Sequence, residues 1–301
     1  MKIGVAGIGR MGAAVAGRLI SVGREVVVWN RTSGKTSDLS DRGAQVADTP
    51  AHLAAEADVI LTMLTGDEAI SSVYHGPQGL LSGVVRGKLF IEMSTVRPGV
   101  EQALASEVSA QGGALVDCPV GGTVGPAREG RLFGFVGGSD EDVARAMPVL
   151  DQMGRRVEHV GPVGAGARMK LAINLPLMVY WLALGEALAL CAPLGLDPDR
   201  LINIFSDTSG GPNVLKARGA MVAAALRGQD TGPVTLDVDL VRKDLGVMLE
   251  EAAALNMDLP VSRRALECAD EAAKAGLGSS DAVVLPARFA KRGRLGSPRQ
   301  A

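Results

Sequence analysis

Hydrophobic and polar positions divide the chain into two stretches of different period. Up to about residue 160, short continuous apolar runs alternate with segments of helical period. That is the pattern of parallel strands buried on both faces and joined by crossover helices. Lys2 to Ala6, Glu25 to Trp29, Ala57 to Leu64, Lys88 to Met93, Ala114 to Val120, Phe133 to Gly137 and Arg156 to Val160 read as strands. Ala13 to Val22 and the amphipathic Asp140 to Met153 read as helices, and Pro98 is placed to open another. Between Gly121 and Gly130 the pattern predicts a flexible, donor-rich loop.

Beyond residue 163 the strand pattern stops. Val163 to Pro193 predicts one long helix, introduced by Gly161, Gly164 and Gly166. Further helices are expected over Asp199 to Phe205, near Val214 to Leu226, over Asp237 to Leu255, and over Val261 to Ala275 as the last clear one. The expected architecture is an α/β domain over 1–162 and an all-helical domain over 163–290, joined by the long helix. The Arg/Gly/Ser/Pro-rich end, 291–301, is expected to be a disordered tail.

The long helix carries the first chemical signal. Leu171 to Ala192 is nearly long and apolar enough to cross a bilayer. Asn174, Pro176 and Glu186 interrupt it, so a buried interdomain or subunit-interface helix is the expectation. Lys170 and Asn174 stand four residues apart and share a helix face. A lysine in such an apolar segment needs a partner or a task.

The second signal is Gly7-Ile8-Gly9-Arg10-Met11-Gly12, which follows a strand and opens a helix. In that context the first glycine permits a tight turn, the second lets backbone approach a diphosphate, and the third allows close helix–strand packing. Free N–H groups at the helix start then face the phosphates. About 20 residues on, where an acid would hold a ribose 2′-hydroxyl, the chain has Asn30-Arg31-Thr32, with Lys35 nearby. Arginine there accommodates a 2′-phosphate, so NADP(H) is preferred and NAD(H) remains possible. Ligands of open α/β sheets bind beyond the strand carboxyl ends. This places Met63, Leu64, Thr65 and Thr95 to line the nicotinamide-ribose side.

Bulk properties narrow the function further. With 301 residues, 47% hydrophobic and 21% charged, the chain has ample core for two soluble domains. A net charge of −2 and 3% aromatics give no reason to expect nucleic acid or an anionic membrane as a partner. Cys118, Cys191 and Cys268, with His52, His75 and His159, are scattered, so neither a disulfide framework nor a metal site is expected. The apolar start is too short for a signal peptide, and a reducing cytoplasm fits.

Several motifs occur in a set order: Gly-Ile-Gly-Arg-Met-Gly at 7–12, Trp-Asn-Arg-Thr at 29–32, Met-Ser-Thr-Val-Arg-Pro at 93–98 and Asp-Cys-Pro-Val at 117–120. Gly-x-x-Gly-x-Gly-x-x-x-Lys-x-x-x-Asn at 161–174 and Arg-Lys-Asp-Leu at 242–245 complete the series. Over Met1 to about Phe289 the chain resembles the β-hydroxyacid dehydrogenase family, which includes 3-hydroxyisobutyrate dehydrogenase and glyoxylate and succinic semialdehyde reductases. The resemblance implies an N-terminal Rossmann domain, an all-helical C-terminal domain, and a homodimer or homotetramer. It implies that Lys170 is the catalytic lysine, Asn174 a substrate contact, Thr95 a neighbour of the nicotinamide ribose, and Lys243 a cofactor contact. It also implies that Gly121, Gly122 and Thr123 meet the substrate, with Asn213 a specificity candidate. Two departures stand out: Gly121 where the family carries serine, and Ile173 where an asparagine often precedes the one at 174.

The resulting expectation is an NADP(H)-dependent enzyme that interconverts a small aldehyde acid and its hydroxyacid. A reductase of bulkier carbonyls or imines is the alternative that Gly121 favours. A non-catalytic dinucleotide-binding scaffold is the alternative of another class, and the presence of Lys170 and Asn174 argues against it.

Overall fold

A computed structural model describes residues 1–292. The chain divides into two compact units, Met1–Ala172 and the residues from Ile173 onward.

The first unit alternates strands and helices. In chain order these are β1 (Ile3–Ala6), α1 (Arg10–Ser21), β2 (Val26–Trp29), α2 (Ser37–Ser40), β3 (Gln45–Val46), α3 (Pro50–Glu56), β4 (Val59–Thr62), α4 (Asp67–His75), β5 (Leu89–Glu92) and α5 (Pro98–Ala110). There follow β6 (Ala114–Asp117), β7 (Val120–Gly121), α6 (Val124–Arg128), β8 (Leu132–Gly137), α7 (Asp140–Met153), β9 (Gly154–Gly161) and α8 (Ala165–Cys191). One sheet runs β3-β2-β1-β4-β5-β6-β8-β7, with β9 also on β8. From β3 to β6 every pairing is parallel; β8 runs antiparallel to β6 and β7. The sheet is buried on both faces. Val5, Leu61, Ile91 and Val116 pack into one core, while their neighbours Ile60, Phe90 and Leu115 pack into the other. That two-sided burial is why these strands read as unbroken apolar runs.

The second unit is helical. Within it lie the remainder of α8, then α9 (Pro198–Ser206), α10 (Asn213–Arg227), α11 (Val238–Ala254), α12 (Pro260–Ala272) and α13 (Val284–Arg292). Gly185 of α8 lets α13 approach closely; a Cβ there would stand 2.7 Å from Phe289 Cβ. Buried Asp281 ties the unit together by accepting from Arg218 at 2.5 Å and from the Thr235 and Val283 amides at 3.0 and 3.1 Å.

Several expectations need correction. Strands β1, β2, β4, β5 and β6 are shorter than their apolar runs, because a ladder ends where its partner ends rather than where hydrophobicity fades, while β8 and β9 begin earlier than expected, pairing with each other from Leu132 and Gly154. The expected flexible loop at 121–130 contains β7 and helix α6. The two-residue β3 has exposed residues and no apolar pattern, and it was not expected. Nor is the helix ending near Ala275 the last one: α12 passes through a wide turn at Ala273–Leu277, and α13 follows. Of the expected tail, 291 and 292 belong to α13, and 293–301 lie outside the described residues. Helix α8 is also less buried than its composition predicts. By length and composition it could cross a membrane, yet only 33% of its most apolar window is buried, and Ile173 and Leu190 are exposed.

Glu101, on the inner face of α5, has no exposed surface, and neither carboxyl oxygen has a hydrogen-bond partner. Burial, and then the charges of Glu92 and Asp117, push its carboxyl well above the usual carboxylate range. In the unfolded chain the group ionises at ordinary pH. Unfolding therefore releases a proton in the interval between the two values, and stability falls as pH rises through it. Glu101→Gln keeps the shape and removes the ionisation. Thermal unfolding should show the variant equal to the native chain near pH 4.5 and more stable by several degrees at pH ~8.

Candidate active site

The parallel strands end in register. Trp29 pairs with Ala6, Ala6 with Thr62, Thr62 with Glu92, and Glu92 with Asp117. The last residues of five strands thus form one row along the carboxyl edge, and the loops that leave it carry most of the candidate residues. Thr62, Glu92 and Asp117 in that row are fully buried.

At β1 the glycine loop is shaped for close approach. Gly7 has φ +98°, and a Cβ there would strike the Met63 carbonyl oxygen. A Cβ at Gly12 would strike the Gly7 carbonyl oxygen. Around Gly9 the space is open, with no atom within 4 Å of a Cβ position. Gly9 precedes α1 without a side-chain cap, so the positive end of the helix faces the open space at Gly9. A diphosphate fits this cradle. Ile8 is buried, Arg10 exposed and Met11 half-buried against the core. Asn30 fastens the loop: its Oδ1 accepts from the Ile8 amide at 2.9 Å, and its Nδ2 donates to the Thr32 carbonyl at 2.9 Å. Its side chain is therefore used on the backbone. Arg31, Thr32 and Lys35 are exposed beyond β2, and no acidic residue lies between Trp29 and Asp38.

At β4 and β5 the row is cross-linked. Glu92 accepts from the Ser94 amide at 2.7 Å and from the Thr62 hydroxyl, and from the Tyr74 hydroxyl at 3.4 Å. Ser94 Oγ in turn accepts from the Leu64 amide at 2.8 Å. The half-buried Met63, Leu64 and Thr95 and the exposed Thr65 are held by this network. Burial pushes the Glu92 carboxyl up, and the Ser94 and Thr62 donors pull it back. Sequence reasoning missed Glu92 and Ser94; a buried acid at a strand end, two residues before a serine, was the available signal.

At β6, Asp117 Oδ1 accepts from the Gly164 amide and Oδ2 from the Ala167 amide, both at 2.7 Å. Burial pushes its carboxyl up to about 6, against the pull of those amides. Asp117 was quoted within a motif but given no task.

Gly121 sits on β7 opposite Phe133. A Cβ at Gly121 would make only ordinary contacts, 3.8 Å to Phe133 and 3.9 Å to Phe135, so the fold does not require glycine there. Gly122 is different: its φ is +127°, and a Cβ would lie 2.8 Å from Leu132. Thr123 precedes α6. The Phe133 and Phe135 rings stack at 4.9 Å beside Gly121.

Lys170 lies in the second turn of α8 and is half-buried. Asn174, one turn on, is 9% exposed and lies in the second unit. There its Nδ2 donates to Asp244 Oδ2 at 3.4 Å, and Lys243 Nζ stands 3.3 Å from Asp244 Oδ1. Asp244, 4% exposed, thus brings Asn174 and Lys243 together, though the two lie far apart in the chain. Sequence reasoning passed over it inside Arg-Lys-Asp-Leu. Asn213 is exposed at the start of α10; the loop before it is tied by the Tyr180 hydroxyl donating to the Gly210 carbonyl at 3.1 Å. Among the described residues no group of three His, Cys, Asp or Glu side chains is placed to hold a metal.

Comparison with known proteins agrees with this geometry. Residues 2–161 match the family described as the NAD binding domain of 6-phosphogluconate dehydrogenase. Residues 164–286 match that described as NAD-binding of NADP-dependent 3-hydroxyisobutyrate dehydrogenase. A 3-hydroxyisobutyrate dehydrogenase of Pseudomonas aeruginosa is 36% identical over 259 residues, 85% of this chain and 86% of its own. A 3-sulfolactaldehyde reductase of Escherichia coli is 32% identical over 275 residues, 91% of each chain. The solved 3-hydroxyisobutyrate dehydrogenase of Mycobacterium tuberculosis with L-serine superposes with a TM-score of 0.83 at 26% identity, covering 96% of this chain and 98% of that one. With a glycine cradle for a dinucleotide, both halves matched and relatives aligned over most of its length, the chain belongs to the β-hydroxyacid dehydrogenase family of NAD(P)-dependent oxidoreductases.

Proposed function

We propose that the chain interconverts a small aldehyde acid, a semialdehyde or glyoxylate, and its hydroxyacid, with NADP(H) preferred over NAD(H). The observation that carries this reading is Lys170, half-buried on a mostly apolar helix one turn from Asn174. The nicotinamide, when bound, supplies or accepts hydride. Lys170 as ammonium donates a proton to the carbonyl oxygen during reduction; as the neutral amine it takes that proton from the hydroxyl during oxidation. Asn174 orients the reacting oxygen by hydrogen bonding. The relatives' substrates, 3-hydroxyisobutyrate and 3-sulfolactaldehyde, share an anionic group near the reacting carbon. Backbone amides at Gly122 and Thr123 receive such a group in this reading. Gly121 and the adjoining Phe133–Phe135 pair favour a second reading, reduction of a bulkier carbonyl or imine.

The exposed apolar residues of α8, Leu190 at 84% and Ile173 at 44%, support a homodimer or homotetramer. Light scattering should return a mass two or four times that of the chain, and Leu190→Glu should lower it.

Lys170→Ala should reduce kcat by about 10²–10⁴-fold, measured as NADPH oxidation with glyoxylate, succinic semialdehyde, methylmalonate semialdehyde or a cyclic imine. NADPH should still bind, by fluorescence titration. Turnover of the cyclic imine alone would select the second reading. Arg31→Ala should weaken NADPH binding by roughly 10–100-fold while leaving NADH nearly unchanged, the value of a charge-assisted bond. Equal losses for both cofactors would remove the assignment of Arg31 to the 2′-phosphate.

A further inference from the structure

We propose that Asp117 is a positioning residue for the reaction: by capping α8 from the end of β6, its carboxylate sets where Lys170 stands. The inference rests on the reading of Lys170 given above.

A helix start leaves its first amides unpaired, and a Ser, Thr, Asp or Asn just before the helix ordinarily accepts one of them. Helix α8 has no such residue. It is entered through Val163, Gly164, Ala165 and Gly166. Gly164 has φ +91°, a conformation that a capping side chain adopts only under strain, and a Cβ there would lie 3.1 Å from the Pro98 carbonyl oxygen. Asp117, 47 residues earlier, takes over both halves of a capping box. One oxygen accepts from the residue before the helix, Gly164, and the other from the third residue inside it, Ala167. Two bonds from one rigid strand end fix both the advance of α8 along its axis and its rotation about it. Lys170 follows Ala167 by three residues, on the next turn.

Two glycines make the clamp possible. A Cβ at Gly166 would strike the Phe135 carbonyl oxygen and lie 2.8 Å from Asp117 Oδ2, and one at Gly137 would strike Asp117 Oδ1. Among the titratable side chains around this carboxylate, Glu101 from α5 feels its charge and is held toward its neutral form by burial, as is the adjoining Cys118 thiol; Glu92, likewise pushed up by burial, is its ladder neighbour on β5. From α8 the Asp117 carboxylate meets the amides of Gly164, Gly166 and Ala167.

Asp117→Asn presents an NH₂ to one of the two amides and so breaks half of the clamp at nearly constant volume. A displacement of Lys170 by about 1 Å should lower kcat roughly 100-fold. The NADPH dissociation constant, by fluorescence titration, should change less than about threefold, since the diphosphate cradle at Gly7 to Gly12 is untouched. The native kcat should also fall as pH drops through about 6, where Asp117 takes up a proton, and the variant should lack that limb. Gly166→Ala is the companion variant: it displaces the first turn of α8 with Asp117 intact and should lose kcat alike. The same substrate panel is used, with Lys170→Ala as reference. If Lys170→Ala is inactive while Asp117→Asn and Gly166→Ala keep native kcat per folded molecule, the positioning role is overturned and the assignment of Lys170 stands. If Lys170→Ala turns over normally, both fall.

Discussion

Everything at this edge depends on five parallel strands that stop at the same level. In-register termination puts Trp29, Ala6, Thr62, Glu92 and Asp117 in a row, and the first four hand their carbonyls to the amide of a loop leaving the neighbouring strand. Gly7 donates to Trp29, Met63 to Ala6, Met93 to Thr62 and Cys118 to Glu92. The sheet ladder thus runs on by one residue into the loops, so the glycine cradle, the Met63 loop and the Thr95 loop inherit the rigidity of the core. Polar side chains in the same row do the rest. Glu92 joins β4 to β5 through Thr62 and reaches the Leu64 amide through Ser94, and Asp117 joins β6 to α8.

Three buried acids near this edge show how donors decide the outcome of burial. Desolvation raises all three carboxyls. Asp117 is offset by several amides and comes to rest near 6, so it is charged at neutral pH and accepts with both oxygens. Glu92 is offset by a backbone amide and hydroxyls. Glu101 has no donor and is held well above the usual range. An acid supplied with amides can serve as a cap or a brace. One without them is a buried neutral acid whose ionisation works against the fold.

The division into a sheet-based half and a helical half was legible, because two-sided burial leaves continuous apolar runs and helices leave a 3.6-residue period. Helix α7 was read at its observed ends, since Ser139 caps it locally and Gly154 ends it. The glycine loop was equally legible, because its chemistry is contained within six neighbouring residues. The first five strand runs were read too long and β8 and β9 too short, β3 and α13 were missed, and α6 was taken for open loop. These features are short or exposed, and tertiary contacts define them more than local pattern does. Among the residues that shape this edge, the glycine loop and Arg31 could be singled out because the signal for them is local in sequence. Asp117, Glu92 and Asp244 were not, because each acts on a segment distant in the chain. Asn30 was read beside Arg31 and Thr32 as part of the cofactor site; its side chain closes on the Ile8 amide.

Helix α8 shows why such distant partners arise. The turn that enters it must pass close to Pro98 on one side and to Phe135 of β8 and the end of β6 on the other, and only glycine fits at 164 and 166. Glycine brings no capping oxygen, so close packing and self-capping exclude each other at this point. Borrowing the cap from Asp117 resolves the conflict and has a further effect. A self-capped helix could shift as a body against the sheet and keep its cap. This helix loses two hydrogen bonds to a charged group if it moves, each worth about 1.5–3 kcal/mol. The position of Lys170 is thereby tied to the same row of strand ends that holds the cofactor loops, so one ladder of backbone bonds sets both sides of the proposed chemistry.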